Sequence, residues 1–163
     1  FQYCVYDDRI YVAAENDFVI HVFDSNGNVL PPIKMEYKKL KLTDDLKNGV
    51  QEYLKTSPLY RDVYERVKKY THVPGYFPAI RSIKVADGKI YAQTYGKTGN
   101  KTEFFIFAVN GKSLKEVLLP IAESDLENSF PFTIKNGKLY QLIENPETEN
   151  YELHVTGIEV PAP

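Results

Sequence analysis

The chain has 163 residues and a formal net charge of −2, long enough to bury a sizeable core and too weakly cationic for a general nucleic-acid binder. Thirteen Tyr and nine Phe with no Trp lean the composition towards strands, whose half-buried pleated surface accommodates flat rings. One cysteine, Cys4, excludes an internal disulfide framework and a multi-cysteine metal site, and no apolar stretch approaches the roughly 18 residues of a membrane span.

Residues 1–35 read as four short strands. Val5 and Tyr6 end an apolar run, Asp7-Asp8 make a turn, and Arg9-Ile10-Tyr11-Val12 start the return. Phe18 to Phe23 supply a third run, Asp24-Ser25-Asn26-Gly27 a second turn, and Asn28 to Lys34 a fourth strand. The pattern opens at Phe1, inside a strand and without Met, which reads as a fragment or a processed chain.

Residues 36–73 change period. Thr43 before Asp44 and Asp45 is a helix start, a hydroxyl cap with negative charge at the positive end of the dipole. Leu46, Val50, Tyr53 and Leu54 follow at helical spacing. Ser57-Pro58 predicts a second start, so the pattern gives helices over about 44–56 and 58–70. Leu59, Val63, Val67 and Tyr70 mark one face of the second helix, with Asp62/Arg66 and Glu65/Lys69 as i,i+4 pairs on the other. Val73-Pro74-Gly75 stops it. The segment holds nine Lys/Arg against six Asp/Glu, which is the pattern of a solvated face.

Strand periodicity returns after the extended Tyr76-Phe77-Pro78-Ala79-Ile80. Val85-Ala86-Asp87-Gly88-Lys89-Ile90-Tyr91-Ala92 aligns with the first hairpin, and so does Ile134-Lys135-Asn136-Gly137-Lys138-Leu139-Tyr140-Gln141. Asp-Gly and Asn-Gly suit a type I′ turn, in which both central residues need φ > 0; Asp7-Asp8 is a poorer version. Phe104 to Val109 and Tyr151 to Val155 are the matching third runs. Asn110-Gly111-Lys112 leads into a fourth strand, Ser113 to Leu119, whereas no strong fourth strand follows His154. Tyr91 and Tyr140 lie 49 residues apart, and Tyr11 and Tyr91 are 42 apart once the 38-residue insert is set aside. Four-stranded antiparallel meanders at this period are β-propeller blades. The expected fold is therefore mainly β, a propeller segment of about three four-stranded blades (1–35, 77–121 and 129–160) with a helical hairpin inserted at 36–73.

This chain resembles the six-bladed β-propeller proteins of bacteria related to NHL-repeat and TolB-like propellers. The resemblance rests on Asp87-Gly88-Lys89-Ile90-Tyr91, on Phe23-Asp24-Ser25-Asn26-Gly27, and on an insert rich in Lys, Glu and Tyr that ends in Tyr76-Phe77-Pro78-Ala79-Ile80. It implies a structural role for those motifs and an exported, periplasmic or cell-surface protein. Three blades are too few for such a ring. The missing ones are expected from a longer chain, as the abrupt Phe1 suggests, or from a second copy.

Chemistry is sparse. His21 and His154 sit at matching places in third strands and point the same way from different blades, so neither is read as a metal ligand; His72 suits a helix C-terminus. Glu15-Asn16-Asp17 and Glu144-Asn145 carry oxygen donors of the kind Ca²⁺ takes in lactonase-like propellers, but hydrophilic loop composition explains them. Ser82, Ser113 and Ser124 have no neighbouring base in sequence. Tyr95, Phe104, Phe105 and Phe107 read as core between blades. The chain thus reads as a non-catalytic binding segment, without catalytic residues, metal or cofactor, serving a protein or small ligand and not nucleic acid. Tyr76, Phe77 and Arg81, where the second blade begins, are the candidate contacts. A metal-dependent lactonase- or lyase-like enzyme is one alternative. An assembly module working through Leu46, Val50, Leu59 and Val63 is another.

Overall fold

A computed structural model describes residues 2–14, 16–70, 72–123 and 129–159, with only the backbone of Val67. The chain divides into two compact units, Phe1–Tyr37 with Pro78–Pro163, and Lys38–Phe77.

The larger unit holds three antiparallel sheets. The first runs β1 (Gln2–Tyr6), β2 (Arg9–Ala13), β3 (Val19–Asp24) and β4 (Val29–Lys34) as a simple meander. The middle sheet repeats this order with β5 (Ser82–Ala86), β6 (Lys89–Thr98), β7 (Lys101–Ala108) and β8 (Ser113–Leu119). The third contains β9 (Phe132–Lys135), β10 (Lys138–Asn145) and β11 (Asn150–Gly157).

Turn chemistry accounts for the common layout. In all three sheets both central residues of the first turn have positive φ: Asp7 49° and Asp8 56°, Asp87 53° and Gly88 69°, Asn136 51° and Gly137 64°. A two-residue turn of this kind matches the right-handed twist of the strands that it joins. Register follows. Tyr11 lies opposite Cys4 and Val22, Tyr91 opposite Lys84 and Ile106, Tyr140 opposite Thr133 and Val155. At the second turn of the first sheet, the Asp24 carboxylate accepts from the backbone N–H groups of Asn26 and Asn28 and from the Asn28 amide. Those bonds hold its carboxyl below the usual range.

Two cores separate the sheets. Tyr11, Ile20 and Val22 of the first sheet meet Ile83, Ile90 and Phe107 of the middle one. Tyr91, Phe104 and Ile106 on the opposite face of the middle sheet meet Ile134 and Leu139 of the third. Phe18 packs edge-on against Phe105 at 5.4 Å and tilted against Phe107 at 5.9 Å, as expected of rings that fill a core between sheets. Burial raises the hydroxyls of Tyr11, Tyr37 and Tyr91 above the ordinary phenol range.

The third sheet departs from the expected four strands. Of the residues after Gly157, the described Ile158 and Glu159 do not pair with β11; the Ile158 N–H donates to the Gly137 carbonyl at 2.8 Å, and its side chain is buried in the second core. Burying one isoleucine and satisfying a turn carbonyl thus replaces a fourth strand, and β11 is an edge among the described residues.

The smaller unit contains α1 (Asp44–Thr56) and α2 (Arg61–Val67). Thr43 Oγ1 accepts from the Leu46 N–H, as the cap reading expects. The ends of the unit are tied by Leu42 N–H to Gly75 and Phe77 N–H to Leu40, around the bridge of Lys41 with Tyr76. The second helix is shorter than predicted. The Ser57 N–H closes α1 on the Tyr53 carbonyl, while the Ser57 carbonyl accepts from Tyr60 and Arg61, so residues 57–60 form a turn. Glu65 pairs with Lys68 and not Lys69, whose ammonium lies over the Tyr70 ring; Asp62 pairs with Arg61. Leu59 is exposed and Leu46, Val50 and Val63 are half-buried.

Candidate functional site

An open cleft of about 370 Å³ lies between the middle and third sheets. Lys97, Asn100 and Thr102 of the β6–β7 hairpin line it, with Ile121 to Glu123 of the connecting segment and Ile143, His154 and Thr156 of the third sheet.

Each wall has a local cause. The pairing of β6 with β7 shifts register between Gln93 and Lys97, and such an irregularity re-aims the side chains beyond it. The buried Thr94 hydroxyl pins that stretch, donating to Glu103 at 2.6 Å and accepting from the Gly96 N–H at 2.9 Å. Gln141 fixes the connecting segment. Its Oε1 accepts from the Ala122 N–H, and its Nε2 donates to the carbonyls of Ala122 and Phe130, all within 3.0 Å. These bonds satisfy backbone groups of a segment that no strand serves.

Glu123 is the electrostatic centre. Its Oε1 accepts from Arg81 and its Oε2 from Lys97. Burial pushes the carboxyl up, but the hydrogen bonds from Lys97 and Arg81, with their charge, outweigh it and hold the group below the usual range. The Arg81 side chain is only 8% exposed and its guanidinium lies over the Tyr95 ring at 5.4 Å, whereas Lys97 is 48% exposed. Arg81 is therefore an anchor, and Lys97 is the cation that reaches solvent at the cleft. Across from it, His154 Nε2 lies 3.2 Å from the Glu152 carboxylate, which Asn145 and His154 together hold below its ordinary pKa.

The cleft thus presents an ammonium, an imidazole, hydroxyls and an amide beside the apolar Ile121 and Ile143. Such a set recognises a polar ligand by hydrogen bonds while covering its apolar part. Among the described residues no three His, Cys, Asp or Glu side chains gather as a metal site. Asn145 spends its amide on Glu152 and on the Glu147 N–H, so it serves the β10–β11 turn. Glu15, in the other candidate oxygen-donor run, and Ser124 lie outside the described residues. A second groove, about 490 Å³, runs beside β4 and is lined by Leu30, Pro31, Pro32, Ile33 and Val109 together with Arg9, Lys34 and Asn110.

Of the three contacts expected from sequence, Tyr76 and Phe77 belong to the smaller unit, Tyr76 exposed and Phe77 half-buried. Arg81 belongs to the larger unit and is occupied by Glu123. Glu123, Lys97 and Gln141 carried no sequence signal. They are 26 and 18 residues apart, their partners lie 11 to 42 residues away in the chain, and none sits in a motif. Comparison with protein-family models, with curated proteins and with solved structures finds no match for this chain.

Proposed function

We propose that the chain is a segment of a β-propeller that serves binding, with the cleft between the middle and third sheets as its ligand site. The observation that carries the stacking half of this reading is a repeated contact between turns. The Gly88 N–H donates to Tyr6 Oη of the preceding sheet at 3.1 Å, and the Gly137 N–H donates to Asp87 Oδ2 of its preceding sheet at 3.1 Å. First strands also lie side by side in order, β1 against β5 and β5 against β9, as neighbouring blades do around an axis. Blades of this kind present connecting segments at their rims, and function sits in those segments.

Lys97 and His154 are the groups assigned to the ligand, with Glu123 and Arg81 holding Lys97 in place. Amide chemical shifts followed during titration with short peptides and with oligosaccharides test the site. Shifts should gather on Thr102, Ala122, His154 and Thr156 and vanish in the Lys97→Ala, His154→Ala variant. Shifts that gather elsewhere, or survive that variant, reject the cleft as the site.

A further inference from the structure

The groove beside β4 lies on the other side of the middle sheet from the cleft. Its floor is the face of the first sheet that looks towards the middle one. Tyr11, Val22 and Leu30 run across that face in one register row, and Arg9, two residues before Tyr11 on β2, shares it. The β7–β8 turn of the middle sheet supplies Val109 and Asn110 to the groove. That turn is held by its own bonds: the Gly111 N–H donates to the Ala108 carbonyl, and Asn110 Oδ1 accepts from the Lys112 N–H.

Three features say what fits there. The first is charge. Arg9 and Lys34 line the groove, both exposed, and among the described residues no carboxylate does. Asp24 lies across from Arg9 on β3, but its carboxylate is bonded into its own turn by Asn26 and Asn28 and forms no ion pair with Arg9. The second feature is an unsatisfied donor. Tyr11 is 0% exposed and its hydroxyl makes no hydrogen bond. Burial raises that hydroxyl, and Arg9 is the neighbour that opposes this most, without reaching hydrogen-bond geometry. A buried hydroxyl without a partner is uncommon, and leaving it so costs stability. The third feature is the edge. Pro31 and Pro32 lie exposed in β4, the outer strand of its sheet, and carry no N–H, so an extended peptide cannot pair along it. The groove therefore offers apolar side chains and a charged end, and no backbone ladder.

We infer that this groove is a site for a small organic carboxylate with an apolar body. The carboxylate sits at the Arg9 end, where the guanidinium takes it as a two-pronged donor and the Tyr11 hydroxyl donates to the same group. A turn of the exposed Arg9 side chain gives the head access to that hydroxyl. The body lies along Val22, Leu30 and Val109. One guanidinium and one neutral hydroxyl suit a singly charged head, and about 490 Å³ is within the range of small-molecule sites. The inference rests neither on the cleft nor on the stacking of sheets into a ring.

Amide chemical shifts of the whole chain, followed against octanoate, octanol and octylammonium, test it, since the three share a body and differ in the head. Octanoate should shift Val22, Leu30, Val109 and Gly111 and bind about tenfold more tightly than octanol or better, with octylammonium weakest. Equal binding of octanoate and octanol overturns the inference, and so do octanoate shifts centred elsewhere or no shifts at all. Tyr11→Phe removes a group that has no partner in the free protein, so urea unfolding should be unchanged or slightly harder. The same variant should bind octanoate roughly tenfold more weakly and octanol as the parent does, because only the carboxylate uses the hydroxyl. Arg9→Gln should bring octanoate down to the level of octanol. Parental octanoate binding by either variant places the head elsewhere, and the inference fails.

Discussion

At the scale of single residues, Gln141 and Glu123 do the most with the least sequence signal. Gln141 is 2% exposed and makes three hydrogen bonds to backbone that has no strand partner. Gln141→Leu keeps the volume and removes all three, leaving the Ala122 N–H and the Phe130 carbonyl without these partners at about 1–3 kcal/mol for the first such group. A loss of about 3 kcal/mol in urea unfolding is expected, and a loss under 1 kcal/mol would show that the segment finds other partners. Glu123 is held ionised by Lys97 and Arg81. Because its folded pKa is depressed, the stability that it contributes is complete above the ordinary carboxylate range and is lost as pH falls through the folded value. The fall in stability between pH 5 and pH 3 should therefore be shallower in Glu123→Gln than in the parent, and parallel curves would remove Glu123 from the account. Neither residue was legible beforehand, because their partners are assembled by the stacking of sheets and not by local spacing. Arg81 was read from the sequence as a ligand contact where the second blade begins. Its burial under Tyr95 and against Glu123 was not.

At the scale of elements, turns were the most readable feature because their chemistry is local. Asp87-Gly88 and Asn136-Gly137 specify positive φ at both central positions, and the strands on either side pair as that geometry requires. What sequence could not show is how tightly each glycine is enclosed. A Cβ at Gly88 would meet nothing within 4 Å, so Gly88→Ala should cost only the left-handed backbone strain, about 1 kcal/mol. At Gly111 (φ 89°) a Cβ would come within 3.2 Å of Ile33 Cγ1, in the core between the first and middle sheets. Gly111→Ala should therefore cost clearly more than Gly88→Ala in urea unfolding, and equal losses would show that Ile33 gives way freely. The second helix was placed too early, because the Ser57 carbonyl accepts from Tyr60 and Arg61 and makes residues 57–60 a turn. The weakness of a fourth strand after His154 was legible, and Ile158 bonds Gly137 in its place.

At the scale of the molecule, protection should follow how many faces of a sheet are covered. The middle sheet lies between two cores, and its long strands β6 and β7 carry Ile90, Tyr91, Ala92, Phe104 and Ile106, each 0% or 1% exposed. Opening any of these strands exposes apolar area on both sides, so their amides should exchange only by the most global unfolding. The outer sheets lose one core when they open, and β11 pairs on one side only, with all but one of its residues exposed. Hydrogen exchange at low concentration should therefore rank β6 and β7 slowest, β2 and β10 intermediate, and β11 fastest. Uniform protection across the three sheets would mean that they unfold as one body and that coverage of faces does not set local stability.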